Sequence, residues 1–363
     1  MILTIIAWVL MFLSIWYVPY RLKQLAVVRK VWLWRVMIAL IFGGYMLLLH
    51  KGIYTDDNAF TAVLYNILGL LFVFVTYLFF FLVLTHPLQL LKQLSKRPIG
   101  IMGISLSVIL AAWGFVNAQS FITTFHDLPI KGLDRKVKII HLPDIHLGTQ
   151  RGESYLKEIL RVIESEKPDI VLYNGDLVDS DIALKPELFA LFRTVEAEQY
   201  FTTGNHEFYM DTEKALRLIE SAGIKILLNE AVDTHGIQLI GLEYMNADRE
   251  TYDAHIVNDL TIEEELPKIT RDSNKPTVLV HHSPVGIKYV VESGADLMLS
   301  GHTHAGQFFP GTSVIRYRFP MYKGRHQIKG TTLLVSQGAG TFGPWMRLGT
   351  SNEVQVINLI PAS

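Results

Sequence analysis

The chain has 363 residues, long enough for two domains of ~150 residues. Half of it is hydrophobic and only 18% is charged, which excludes disorder as the main state. The formal net charge of -1 conceals a split: residues 1–118 carry nine Lys/Arg and two Asp/Glu, a balance of +7, and residues 119–363 carry 24 and 32, a balance of -8. One uniform soluble domain is excluded, and the acidic second part speaks against nucleic acid as a partner. Cysteine is absent, so there are no disulfides, thiolate ligands or cysteine nucleophiles.

Four long stretches in the first third are almost free of charge. Residues 2–20, 58–91 and 98–125 carry none, and residues 31–49 only Arg35. About 20 apolar residues span a bilayer core, so a bundle of four transmembrane helices is predicted, with residues 1–125 as a multi-pass domain. Arg35 lies one turn into its stretch, where its stem can run back to the interface. A signal peptide would have basic residues before its apolar run. Here Arg21, Lys23, Arg29 and Lys30 follow it.

The positive-inside rule sets the orientation. The first connection holds those four basic residues. The second holds Lys51 with Asp56 and Asp57, and the third Lys92, Lys96 and Arg97. The first and third are expected in the cytoplasm. Four spans then place residues from about 120 onward outside it. Losing one span reverses that location.

From residue 136 the texture changes to alternating strands and helices, and residues 126–363 are expected to form an α/β domain. Strands are predicted at 137–142, 169–176, 200–203, 224–228, 237–242, 277–281 and 296–299. Helices are predicted at 155–166, 186–197, 211–222 and 286–292. The polar stretch 243–260 reads as an excursion, the last 50 residues as strand-like, and 127–133 as the junction.

Asp, Asn and His collect at the strand ends. Asp144 and His146 form D-x-H, Asp176 and Asp179 stand in GDLVD, and Asn205 and His206 in GNHE. His281 and His282 stand in HHSP, His302 and His304 in GHTH. Ligands of open α/β sheets bind at the carboxyl ends of strands. Carboxylate, imidazole and amide donors without thiolate suit a pair of divalent ions. Asp176, in a Gly-led turn, is the natural bridging carboxylate. His126, His141, His235, His255 and His326 lack this context and read as structural or surface residues.

D-x-H, GDxxD, GNHE, H-x-P and GHTH in this order resemble the calcineurin-like metallophosphoesterase superfamily, over about residues 136–360. The GHTHAGQ continuation and the pattern of Gly338, Gly340, Pro344 and Arg347 resemble its YkuE-like, envelope-associated branch. The helical first third resembles the arrangement in transmembrane proteins with a metallophosphoesterase domain. The resemblance implies a sandwich of two mixed sheets flanked by helices. It implies one metal on Asp144, His146 and His304, another on Asn205, His282 and His302, and Asp176 shared. His282 is selected by Pro284 two residues on, with His281 as the alternative register. His206 matches the family's acid/base histidine and Asp179 the carboxylate that orients it. Mn, Fe, Zn or Mg would each suit such donors. Pro143 departs from the pattern, standing where this branch usually has a small Ser.

The expected function is hydrolysis of a phosphoester, by a metal-activated water, on a protein held in the lipid bilayer of the cell membrane. The tether near 119–135 is short, which favours a phosphorylated lipid or membrane-linked headgroup as substrate. Two alternatives keep the same residues. One is a cytoplasm-facing pyrophosphate hydrolase acting on a nucleotide-linked lipid precursor. The other is a non-catalytic metal or ligand sensor coupled to a membrane domain. No protein partner is legible in the sequence.

Overall fold

The computed structural model describes residues 2–51, 59–87, 96–251, 257–272 and 274–362. Asp56, Asp57, Lys92 and His255 lie outside the described residues. The chain divides into two compact units. One holds residues 58–119 and most of the residues before them, together with 343–348. The other holds 120–342 and 349–363.

The first unit is built from α1 (Ile2–Gln24), α2 (Val31–Lys51), α3 (Ala59–Leu84) and α4 (Lys96–Asn117). Three helical stretches, Val31–Leu49, Ala59–Leu84 and Lys96–Asn117, are long and apolar enough to cross a membrane. Small residues line the buried face of α4: Gly100, Gly103, Ser107, Ala111 and Gly114. Such a stripe lets helices approach closely where apolar surroundings give no hydrophobic drive. A Cβ at Gly103 would strike the Phe81 ring, and one at Gly114 would strike Met346. Met346 belongs to the segment 343–348, which packs with the helices. The Arg347 amide donates to the Gly114 carbonyl (2.9 Å), and Trp345 stands edge-on to Phe115. Ser107 and Thr76 turn their hydroxyls back to the carbonyls four residues earlier, which satisfies both buried groups within their own helices. Arg35 lies with its guanidinium over the Trp16 ring (4.3 Å).

The apolar stretch 98–125 does not remain helical to its end. The helix stops at Asn117, and β1 (Phe121–Ile130) begins after three intervening residues. Threonine and aromatic residues in FITTFHDLPI favour extended backbone. All ten residues of β1 pair in parallel with β12 (Asn352–Pro361). The expected junction at 127–133 is therefore partly strand.

The second unit is a two-sheet sandwich. Its first sheet runs β1-β12-β2-β3-β4-β5, with β2 (Val137–Leu142), β3 (Ile170–Asn174), β4 (Glu198–Thr202) and β5 (Lys225–Ile226). Its second runs β10-β11-β9-β8-β7-β6, with β6 (Glu230–Thr234), β7 (Ile237–Gly241), β8 (Thr277–Val280), β9 (Leu297–Ser300), β10 (Gly324–Ile328) and β11 (Thr331–Val335). β2 to β5 are mutually parallel, as are β7, β8, β9 and β11. Ile139, Ile170 and Leu172 meet Leu239, Val278, Leu297 and Leu299 between the sheets. Ile140, Val171 and Tyr173 point the other way, onto α5 (Glu153–Glu166) and, via Ala215 and Ile219, the later helix Thr212–Ser221. Both faces of the central strands are buried, which is why they read as continuous apolar runs.

Three elements differ from expectation. The helix predicted at 186–197 is one α turn, α6 (Pro186–Phe189), continuing as a 3₁₀ segment over Ala190–Thr194. Three residues per turn set Phe189 and Phe192 on one side, and both are buried. The helix Thr212–Ser221 is α7. Beyond α8 (Ile262–Glu265) and α9 (Ile287–Ser293), the strand-like end contains a helix, α10 (Gly311–Arg318). Strand β6 was not predicted. It forms a hairpin with β7, turned by His235 and Gly236, both at positive φ.

A polar chain crosses the sandwich. His141 Nδ1 pairs with Gln355 Oε1 (2.9 Å), and Asn174 Nδ2 reaches His141 Nε2 (3.0 Å) and the Leu299 carbonyl (3.0 Å). Burial pushes the His141 imidazole down to about 4, against the Gln355 hydrogen bond that favours its charged form. Above pH ~6.5 both folded and unfolded forms are neutral. Between ~6.5 and ~4 only the unfolded form takes up the proton, so stability falls by up to about 3 kcal/mol. In chelator, His141→Gln is expected to lose less stability than the unaltered protein on acidification from pH 7 to 4.5. Parallel losses in thermal melts would contradict this.

Candidate metal centre

β2, β3, β4, β8 and β9 each deliver donors from a turn at the carboxyl end. Asp144, His146 and His304 present ligand atoms within 4.8 Å of one another, as do Asp176, His282 and His302. The groups interlock. His282 Nε2 lies 3.2 Å from Asp176 Oδ2 and 3.7 Å from Asp144 Oδ1. His304 Nε2 lies 3.3 Å from Asp144 Oδ1 and 3.0 Å from His146 Nε2. All of these side chains are buried except that of His302, which is half-buried.

The backbone explains how turns so short converge. Asp144 (φ 58°), His146 (53°), Asp176 (52°), His302 (67°) and His304 (47°) are all left-handed. Few non-glycine residues adopt that region, and each costs of order 1 kcal/mol or more. Interstrand bonds hold them there. The Asp144 amide donates to the Gly175 carbonyl and the His146 amide to the Asp176 carbonyl (3.0 Å each). The His302 amide donates to Asp144 Oδ2 (2.9 Å). A Cβ at Gly204 would collide with Asp176 Oδ1, and one at Gly301 with Asp144 Oδ2. At Pro143 the carbonyl accepts from the Ala339 amide (2.8 Å), which ties this loop to the segment after β11.

The two adjacent histidines are placed differently. His281 uses both nitrogens, Nδ1 toward the Ser283 carbonyl (2.7 Å) and Nε2 toward the Met245 amide (3.3 Å). His282 turns Nδ1 to the Asn174 carbonyl (2.7 Å), which directs Nε2 at the carboxylates. Asn205 gives its amide nitrogen to Tyr209 Oη (3.2 Å). Its Oδ1 is buried and has no hydrogen-bond partner. A buried acceptor without a donor is costly, and a cation would satisfy it. The donor set and this oxygen fit divalent ions.

Asp179 lies behind the cluster. Its Oδ1 stands 2.8 Å from His206 Nδ1 and 3.2 Å from His146 Nδ1. Burial opposes a charged His206 ring, but Asp176 and Asp179 outweigh it and push the imidazolium up to about 9. Burial likewise opposes the charged form of Asp179, and the two histidines hold its carboxyl below the usual range. The Phe342 ring stands edge-on to His206, centroids 5.0 Å apart.

Glu207 has no role in the sequence reading. It is fully buried and accepts from the amides of Asp176 (3.0 Å), Leu177 (2.9 Å) and Gly204 (2.7 Å). Its only sequence signal is its place after Asn205 and His206 in GNHE.

The profile of the calcineurin-like phosphoesterase family matches residues 137–306. An uncharacterized metallophosphoesterase of Aquifex aeolicus is 31% identical over 268 residues, 70% of this chain and 97% of the relative. One from Helicobacter pylori is 34% identical over 234 residues, 63% of this chain and 61% of the relative. A Bos taurus transmembrane protein with metallophosphoesterase domain is 28% identical over 361 residues, 89% of this chain and 79% of the relative. The chain belongs to the calcineurin-like phosphoesterase family. It spans about three fifths of the length of the Helicobacter relatives.

If Asp176 is shared between two ions, Asp176→Ala should release both together. Elemental analysis of the purified variant should show metal content near zero. Near-normal content, or loss of one ion alone, would remove Asp176 from the shared position.

Proposed function

We propose that the protein is a membrane-embedded, dinuclear-metal hydrolase that cleaves a phosphoester. The observation that carries this reading is the convergence of buried O and N donors from five strand ends, most of them on left-handed backbone. Asp144, His146 and His304 would hold one divalent ion, and Asn205, His282 and His302 the other, with Asp176 between them. When bound, the ions would supply charge stabilisation to the phosphoryl oxygens and a nucleophile at neutral pH.

The chain's own residues supply the rest. Asp179 Oδ1 pairs with His146 Nδ1 and stands in ion-pair contact with His206 Nδ1, which leaves both Nε2 atoms for the site. His206 is then the proton donor to the leaving oxygen, and Asp179 is the residue that orients it. A ring fixed in this way loses little entropy on donating its proton.

The substrate class follows from the membrane domain. α1, 23 residues long, supplies a fourth span beside the three apolar helical stretches. The basic residues at 21–30 and 92–97 then lie in the cytoplasm, and the catalytic domain lies outside it. A phosphorylated lipid or membrane-linked headgroup is the substrate such an arrangement serves. The Bos taurus relative, described as a transmembrane protein, aligns with 89% of this chain, which supports a functional association of the two parts.

His206→Ala is expected to retain metal and to lose about 10²–10⁴-fold in rate. The loss should shrink for a nitrophenyl phosphate ester, whose leaving group needs little protonation. An equal loss for poor and good leaving groups would take the acid role from His206. For the topology, a periplasm-active reporter fused after Ser363 should be active. Activity of a cytoplasm-dependent reporter alone would reverse the orientation.

A further inference from the structure

The catalytic unit is acidic in sum, yet its basic residues are not evenly spread. Between Asp296 and Glu353 the chain carries six Lys/Arg and no acidic residue, whereas residues 119–296 carry 18 Lys/Arg against 31 Asp/Glu. Four of the six, Arg316, Arg318, Lys323 and Arg325, lie on or just after α10. None of these four has an ion-pair partner among the described residues. α10 contributes no buried residue to the core. Tyr317 at its end is 88% exposed, and Phe309 before it is 45% exposed. α10 packs Ile315 against the core, but its outer face shows Tyr317 among cations without ion pairs, which folding of the unit does not explain. The same composition suits the headgroup layer of an anionic bilayer, where rings enter the interface and cations meet lipid phosphates.

The excursion is anchored where it leaves and returns. Gly306 and Gly311 touch so closely that a Cβ on either would strike the other's turn. Gln307 is held by the Phe342 amide (2.9 Å), and its carbonyl by Thr350 Oγ1 (2.6 Å). On the return, the Tyr322 carbonyl accepts from Thr303 Oγ1 (2.6 Å), and Phe319 stands edge-on to His302, centroids 5.9 Å apart. The excursion therefore starts beside His304 and ends against His302 and its neighbour. The chain also carries stretches apolar enough to cross a membrane, and three residues separate α4 from β1.

We propose that residues 308–325, with α10 at the tip, form an interfacial element that docks the catalytic unit on an anionic phospholipid surface through Arg316, Arg318, Lys323 and the Tyr317 ring. Its role is to hold the His302–His304 turn at headgroup level. The proposal does not depend on hydrolysis, and its test reads position and not turnover.

The absence of cysteine makes single-site labelling direct. Ser313→Cys on α10 and Glu220→Cys on α7, both at exposed positions, are labelled with an environment-sensitive fluorophore in the full chain. Each is reconstituted into nanodiscs of phosphatidylcholine, alone or with phosphatidylglycerol, containing quencher lipids. The Ser313 label should be quenched in the anionic discs, weakly in neutral ones, and the Glu220 label in neither. Arg316→Glu with Arg318→Glu should lower the docked-to-undocked ratio by roughly fivefold or more per residue, and high salt should do the same. Both changes fall on a helix without buried residues, so the fold is expected to survive, with an unchanged melting temperature as the check. Equal quenching at 313 and 220, or quenching at 313 indifferent to lipid charge, salt and charge reversal, would overturn the proposal. If the paired reversal lowers the melting temperature, the lipid-charge and salt arms on the Ser313 protein decide alone.

Discussion

Two buried carboxylates clasp each other's loops at the centre of the catalytic unit. Glu207, from the turn after β4, accepts the amides of Asp176 and Leu177 from the turn after β3, together with Gly204 from its own. Asp176 accepts the His206 amide in return (2.8 Å). Neither turn could hold its shape alone, because Asp176 sits in the left-handed region and isolated loops do not pay for such strain. The clasp converts two short connections into one rigid floor. Burying both carboxylates is tolerable because Glu207 is met by three amides and Asp176 by the His206 amide and the His282 ring, and buried polar groups need such partners.

That floor is tied to the second sheet. The Asn174 side chain donates to the Leu299 carbonyl, and its backbone carbonyl meets His282 Nδ1. One residue at the end of β3 thus fixes the distance between sheets and the orientation of a histidine from β8. Thr202 from β4 closes the network on Asn174 Oδ1 (3.1 Å). A fully partnered polar network of this kind specifies one packing, where apolar contacts between Ile, Leu and Val would tolerate sliding. The donors from five strands meet because the sheets beneath them cannot shift.

The helical unit follows a different logic. Its buried surface depends on close approach across small residues on α4 and on aromatic pairs such as Tyr45 with Tyr65, stacked 5.2 Å apart. Thr76 and Ser107 bond within their own helices, while Tyr17 Oη donates across to the Leu82 carbonyl (3.0 Å), and close packing carries the rest. Segment 343–348 joins this packing although it is far from the helices in sequence. Met346 takes the space that the missing Gly114 side chain leaves.

Local pattern accounts for part of this protein. Uncharged runs of bilayer length marked the helices, and apolar runs ending in Asp, Asn or His marked β2, β3, β4, β8 and β9 with their donors. These signals survive in one dimension because hydropathy and strand termination act over a few residues. The tertiary structure decided matters that depend on distant partners. β1 is a strand because β12, more than 200 residues away, offers it a full ladder; nothing within 98–125 marks where helix gives way to strand. His282 and not His281 faces Asp176, because Met245 and Ser283 occupy both nitrogens of His281. Glu207 became visible as a structural tie only when its acceptors met amides of another loop. Left-handed backbone at Asp144, His146, Asp176, His302 and His304 is not fixed by residue type: Asp and His are enriched in that region, yet most of them lie elsewhere. Composition gives each residue its chemistry, but direction comes from hydrogen bonds whose other ends lie elsewhere in the chain.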